Sequence, residues 1–233
     1  MADTGYFLMA DVLGFGKIID NSTALERDTR IYDWVSLVES IAEEFGIEQF
    51  QLISDTLFAS VASDRSALIK LLDFSSRLLT DGIEKSFPIR GAIVHGEFTW
   101  GKLTYGPAVI DAHRLEQAQN WIGITCAAEL PGLDELWSID RVVHYSPPLK
   151  HGLIKAHPVV SWSIPIFGQL VQRATAGGLT QKGEKLTWDW GEKINNTVLF
   201  QLYQQRLHKN KESPARFHGR LPVEPISAAL GNT

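Results

Sequence analysis

A single cysteine, Cys126, rules out a disulfide within the chain and points to a reducing compartment. Basic residues are in deficit. The 22 Lys and Arg stand against 27 Asp and Glu, and the net charge of -5 argues against a broad nucleic-acid-binding surface. Long apolar runs are missing as well: no window approaches the roughly 18 uninterrupted apolar residues of a membrane span. The first residues, MADTG, have neither the basic nor the apolar region of a secretory signal. Internal repeats and low-complexity tracts are also absent. The expectation is a soluble, cytoplasmic protein with no nucleic acid and no membrane as partner. Any anionic ligand must then be held by a few placed cations or by a metal.

What is present is ordinary globular material. Hydrophobic residues make up 44% of 233 positions, enough for one large domain or for one domain with an elaborate C-terminal part. Residues 5–11 form a short apolar run that ends on Asp11 and reads as a central strand. Ile31, Trp34, Val35, Val38, Ile41, Ala42 and Phe45 repeat at helical spacing, and Gly46 closes the helix. EQFQLISDTLFASVA predicts two strands around a turn at Ser54-Asp55. A second helix carries Leu68, Leu71, Leu72, Ser75, Leu78 and Leu79 on one face, with Asp64 as its N-cap.

PIRGAIVH is strand-like, and GEFTWGKLTYG predicts a glycine-punctuated hairpin or loop. Residues 107–119 suit a helix opened by Pro107, and WIGITCAA one more strand. SPPLKHGLIKAHP reads as loop, and residues 190–207 as a helix. The order β-α-β-β-α-β, then α-β, is the split βαβ arrangement: an α+β, ferredoxin-like antiparallel sheet with helices on one face.

Two aspartates stand out. Asp11 ends the first strand and Asp55 sits in the turn between the next two. In a split βαβ sheet those strands are neighbours, so both carboxylates can meet at one sheet edge. Such a pair is destabilising alone unless a divalent cation lies between them. Taken singly, each aspartate reads first as a turn residue or a helix N-cap; their placement in two corresponding strand-end contexts reverses that. The turn after Asp11, VLGFGK, offers backbone N–H groups from Leu13 to Gly16 that can cradle phosphate oxygens, although a lone G-x-G also serves as an ordinary turn. Carboxylates, metal and an anion-binding turn together suggest phosphoryl or nucleotidyl transfer. Arg90, inside an apolar strand, needs a counter-charge. Arg114 either joins the site or pairs with Asp111 on the helix surface.

These segments line up with a known family. FLMADVLGFG resembles the F-x-D-I-x-G-F-T strand and loop of class III nucleotidyl cyclases, and QLISDTLFA their K-T-I-G-D-x-x-M-A hairpin. IRGAIVHGEF is similar to R-V-G-I-H-x-G, and YGPAVIDAHRLE to the G-x-x-V-N-x-A-x-R-M helix. The likeness covers about residues 6–120, in the family's order. Within the family, the R-G-A-I-x-x-G-E-F and G-P-A-x-x-x-A-x-x-L-E segments resemble most the pyrimidine cyclases of bacterial Pycsar antiphage systems.

The resemblance implies roles position by position. Asp11 and Asp55 are the metal carboxylates, with the Val12 carbonyl beside them. Leu13, Gly14, Phe15 and Gly16 hold the triphosphate, as does Arg90. Arg114 reaches the transition state from a partner subunit, so a head-to-tail homodimer with sites at the interface is implied. Two Mn²⁺ or Mg²⁺ ions per site are the implied cofactors. Residues 1–150 form the implied catalytic core, and 151–233 an extension completing the same domain, with a flexible tail from about residue 208. Lys150 is the candidate for the family's late triphosphate lysine.

Departures from the pattern bear on substrate. The ribose-orienting asparagine falls at Ile110, leaving the role vacant or passing it to Asp111. The purine-selecting lysine or glutamate falls at Gln51, whose amide can both donate and accept. The second purine-selecting position lies near Leu103. Phe50 either narrows the base pocket or belongs to the core. The expectation is a uridylate cyclase converting UTP to cyclic UMP, an antiviral messenger read by a separate effector. CTP as substrate, a divergent adenylyl cyclase, or an inactive nucleotide-binding regulator remain alternatives. The lack of a G-G-[DE]-E-F hairpin argues against a diguanylate cyclase or polymerase palm.

Overall fold

Alternation in YFLMADV places Tyr6, Leu8, Ala10 and Val12 on one face of a strand and Phe7, Met9 and Asp11 on the other. The structure is a computed structural model and describes residues 3–20, 22–133, 140–151, 157–164 and 188–211. In it this strand, β1 (Asp3–Val12), is central. It pairs antiparallel with β3 (Thr56–Ala62) on one side and β4 (Ile89–Phe98) on the other, and β2 (Gln49–Ile53) lies outside β3. The order β2-β3-β1-β4 is the expected split βαβ sheet.

The sheet then continues through β5 (Gly123–Cys126) to a pair formed by β6 (Val142–Tyr145) and β7 (His157–Val160), with β7 between β5 and β6. The expected antiparallel pairing stops at β4, because β5 joins it in parallel. A helix between them carries the chain back to the starting end, as a parallel crossover requires. The segment read as loop, SPPLKHGLIKAHP, lies between β6 and β7 and supplies the first residues of β7; residues 152–156 of it lie outside the described residues.

The short helix α1 (Phe15–Asp20) follows the turn after β1. The two long helices lie over the β1 face that carries Tyr6, Leu8 and Ala10, as the sequence predicts. The first, α2 (Ala24–Phe45), starts a turn or two earlier than its apolar spacing suggests, because Thr23 and Glu26 form a reciprocal capping box. It ends where Gly46 takes the left-handed conformation (φ 63°), which a side chain would strain. The second, α3 (Arg65–Glu84), is capped by Asp64, whose carboxylate accepts from the Ala67 N–H. Trp34, Leu37, Val38 and Ile41 of α2 meet Leu68, Leu71, Leu72 and Leu78 of α3 in the main core. Each fully buried side chain of this kind contributes about 1.5–3 kcal/mol.

The opposite face is covered over only part of its length. There α4 (Pro107–Ala118) lays Ala108 and Ala112 against Phe7, Met9, Val94 and Phe98. Beyond this second core, towards the Asp11 end, the face becomes polar. Where α4 ends, the Gln119 side chain ties together α4, β4 and β5. Its NH₂ donates to the carbonyls of Gly91 and Leu115, and its oxygen accepts from Trp121 Nε1 and Thr125 Oγ1. Gln119→Leu removes four hydrogen bonds, three of them buried, so a loss of roughly 2–4 kcal/mol is expected. Urea denaturation reads it directly.

The last helix, α5 (Trp188–Lys211), crosses the β5-β7-β6 end, where Phe200 stacks edge-on against Trp121 at 4.9 Å. Much of its buried side is polar. Thr197 accepts from the Ile122 N–H, Gln201 donates to the Trp162 carbonyl, and Gln204 donates to Ser161 Oγ. This helix still runs where the tail was expected to begin, at about residue 208. From residue 212 onwards that tail lies outside the described residues.

Candidate active site

The end of β1 sets the site. The Asp11 backbone pairs with Thr56 of β3 on one side and with Arg90 of β4 on the other, so its carboxylate leaves the partly covered face between two neighbouring strands. Thr56 Oγ1 donates to Asp11 Oδ1 at 3.2 Å. Asp55 is the residue before Thr56, in the turn that joins β2 and β3. That turn is pinched by Ser54 in the left-handed region (φ 59°). The fold therefore brings the two aspartates to one end of the sheet.

Burial raises the pKa of Asp11 to about 6, helped by the negative charges of Asp55 and then Glu116; the Thr56 hydrogen bond and the Arg90 cation act in the opposite sense. A carboxyl that ionises near 4 when unfolded and near 6 when folded stabilises the fold most fully below pH 4. That contribution is lost as pH rises through 6. The metal-free protein is therefore expected to lose thermal stability between about pH 4 and 6 by more than its Asp11→Asn variant does, as scanning calorimetry across that range would measure.

A divalent cation fits these groups. Two oxygen-donor carboxylates whose charges disfavour one another are what such an ion relieves. Among the described residues no cluster of three or more His, Cys, Asp or Glu could hold a metal ion. This donor set therefore corresponds to an ion that completes its shell with backbone, water and substrate phosphate oxygens, as Mg²⁺ commonly does. Val12 stands at the margin: it pairs with Ile89 of β4, whereas the β3 ladder ends at Asp11.

The turn after β1 departs in one respect from its expected role. The Leu13 N–H donates to the Pro88 carbonyl at 2.8 Å and is not free for phosphate. Gly14 makes the turn with φ 79°, and Phe15 and Gly16 begin α1, where backbone N–H groups have no intrahelical acceptor.

Arg90 differs from expectation more sharply. The resemblance gives it a triphosphate; the structure gives it Glu116. Arg90 is 4% exposed, and its guanidinium donates through Nε and Nη2 to Glu116 Oε1 and through Nη1 to the Gln119 carbonyl. A cation inside a buried strand needs a counter-charge, and α4 supplies one. The sequence does carry a signal for this: Ala108, Ala112 and Glu116 recur every four residues, placing an acid on the apolar stripe of α4.

Gln51 pairs with Phe58, which pairs with Met9, so Gln51 stands on the same face as Asp11. Phe50, its neighbour in β2, necessarily points the other way and packs against the main core. The pocket-narrowing reading of Phe50 is thereby corrected. Leu103 (71% exposed) and Ile110 (51% exposed) lie on the outer surface near and on α4. Arg114 is also exposed, on the outer side of α4, with Nη1 3.6 Å from Asp111 Oδ1. Lys150 follows the Gln119–Leu149 bridge, and its N–H donates to the Ala118 carbonyl at the end of α4. Thr56, Glu116, Gln119 and Thr104, whose hydroxyl meets Gln51, were not singled out by sequence reasoning.

No protein-family model and no curated protein matches the chain. Solved structures do. The adenylyl cyclase CyaB from P. aeruginosa superposes with a TM-score of 0.52 at 16% identity, covering 69% of this chain and 95% of that one. The guanylate cyclase domain of RhGC from Catenaria anguillulae, in complex with GTP, gives 0.55 at 14% identity, with 69% and 98% covered. The non-canonical dimeric guanylyl cyclase domain of the RhoGC fusion protein from Blastocladiella emersonii gives 0.55 at 15%, with 68% and 97% covered. With Asp11 and Asp55 at one end of the β2-β3-β1-β4 sheet, the chain has the fold of a class III cyclase catalytic domain.

Proposed function

We propose that this chain is a nucleotidyl cyclase that converts a pyrimidine triphosphate, UTP foremost, to its 3′,5′-cyclic monophosphate and pyrophosphate. The observation that carries the reading is the convergence of Asp11 and Asp55 at one end of the sheet, close enough for the Asp55 charge to act on Asp11, with Gln51 on the Asp11 face, in a cyclase fold. Neither purine-selecting charge is present: one position holds Gln51 and the other lies near Leu103.

Asp11, Asp55 and the Val12 carbonyl hold the metal, Mn²⁺ or Mg²⁺, two ions per site. Ions held there would lower the pKa of the ribose 3′-hydroxyl and offset charge on the α-phosphate. The ribose 3′ oxygen attacks the α-phosphorus, its proton passes to solvent, and the bond from the α-phosphorus to the bridging oxygen breaks, releasing pyrophosphate. Gly14, Phe15 and Gly16 hold triphosphate oxygens through backbone N–H groups. Arg90 keeps α4 on β4 through Glu116 and leaves its positive charge near Asp11.

Arg114 acts on the site of a second copy. Its exposure supports this, as does the apolar surface of Leu103, Tyr105 and Ile110 close to it along the chain. The RGAIVHGEF and YGPAVIDAHRLE segments support a messenger role in antiphage defence, with a separate effector reading the product.

The test is a four-way assay of the purified chain with Mn²⁺ and ATP, GTP, CTP or UTP. A cyclic pyrimidine nucleotide is expected. A cyclic purine would keep the cyclase and sink the base assignment. No product from folded, dimeric protein would instead favour a nucleotide-binding regulator.

A further inference from the structure

The base-facing amide is not left to turn freely. Thr104 lies in the loop closed by the Thr99–Tyr105 bridge, just ahead of α4, and its hydroxyl donates to Gln51 Oε1 at 3.1 Å. Its other approach, to the Gly101 carbonyl, is longer at 3.5 Å. A threonine hydroxyl has one proton, and here it goes to the amide oxygen. With Oε1 engaged, the side chain offers a ligand its NH₂, a donor. Both residues are partly exposed.

A donor in that position pairs with a carbonyl and is opposed by an exocyclic amine. Uracil and cytosine have nearly the same shape and share the O2 carbonyl. They differ at position 4, where uracil has a carbonyl oxygen and cytosine an amino group. We propose that Thr104 fixes the Gln51 amide as a donor towards position 4 of the base and so makes the site select UTP over CTP. Thr104 is thus a positioning residue for specificity that acts through Gln51. This inference rests on the cyclase reading above, and it makes the polarity of one side-chain amide the discriminating element. A site built on such a hydrogen bond rejects the mismatched ligand strongly, because a donor covered by the bound base would then face a donor.

The experiment compares kcat/KM for UTP and CTP, with Mn²⁺, in the full chain and in Thr104→Ser, Thr104→Val and Gln51→Glu. Thermal stabilisation by each nucleotide is measured in parallel as a readout that needs no turnover. The unsubstituted chain is expected to favour UTP by at least about tenfold. Thr104→Ser keeps the hydroxyl and should keep that ratio. Thr104→Val frees Oε1, lets the amide turn to accept from the cytosine amine, and should lower the ratio at least about fivefold, mainly through KM. Gln51→Glu, an acceptor only, should move preference towards CTP in both readouts.

An unchanged ratio in folded Thr104→Val overturns the proposal, as does a CTP preference in the unsubstituted chain. Either result leaves the cyclase reading intact, since product still forms. Failure of all four triphosphates to give any cyclic product sinks the cyclase reading and this inference together.

Discussion

Asp55→Ala is expected to lower the rate with the best triphosphate by at least roughly 10³-fold, because it removes one of two carboxylates that hold the metal. Lost activity is ordinarily open to the objection that the variant has unfolded. Here the structure predicts the reverse. Asp55 lies in a turn, at least partly open to solvent, and its charge helps raise the pKa of Asp11. Removing it relieves that repulsion, so the metal-free variant should melt no lower than the unsubstituted chain at neutral pH. Divalent cation should stabilise the variant less. A variant that is inactive, equally stable and insensitive to Mn²⁺ matches the metal-carboxylate role. An Asp55→Ala protein that keeps cyclase activity would remove that role outright.

The second large effect concerns Arg114. Alanine at this position should cost roughly 10²–10³ in kcat if the guanidinium stabilises charge that develops on the transferred phosphorus. Its exposed position, paired only loosely to Asp111, means that folding should tolerate the change. The sharper test is mixing. If Arg114 serves the site of the other subunit, a heterodimer of Asp55→Ala and Arg114→Ala chains contains one site with both groups intact and one with neither. Equal mixing with free exchange makes half the dimers heterodimers, so about a quarter of the full activity should return from two inactive proteins. Recovery near zero under conditions where chains exchange would place Arg114 elsewhere.

The pattern of success and failure in the sequence follows from locality. The Asp64 cap, the Gly46 stop, the two-strand hairpin around Ser54-Asp55 and the β2-β3-β1-β4 order all follow from signals a few residues long or from a known supersecondary order. Asp11 and Asp55 converge for the same reason: the order of strands decides it. Of the two readings of Phe50, pocket or core, a local rule decides for the core, since neighbours in a strand cannot share a face and Gln51 claims the outer one.

Arg90 was harder. Its partner comes from α4, 26 residues on, and only the acid on an otherwise small-residue stripe hinted at it. The parallel pairing of β5 and the continuation of the sheet through β7 and β6 depend on contacts between segments distant in sequence. No short window records them.

One consequence of α5 concerns how a second half of a protein is attached to a first. Thr197, Gln201 and Gln204 rise along one stripe of the helix, and two of them address main-chain groups at Ile122 and Trp162 that the sheet leaves over. Asn196 adds the Asn120 carbonyl and Tyr203 the His144 carbonyl. Grease would let such a helix slide or rotate by a residue at small cost; teeth do not, because one step of misalignment empties every socket at once. The same teeth make the helix a poor place to cut. A chain shortened before residue 188 would uncover the Trp121 and Tyr145 rings that Phe200 packs against, and would also leave a row of orphaned amides and carbonyls along the rim. Its failure would then be that of a zip missing its slider as well as of a core missing its oil.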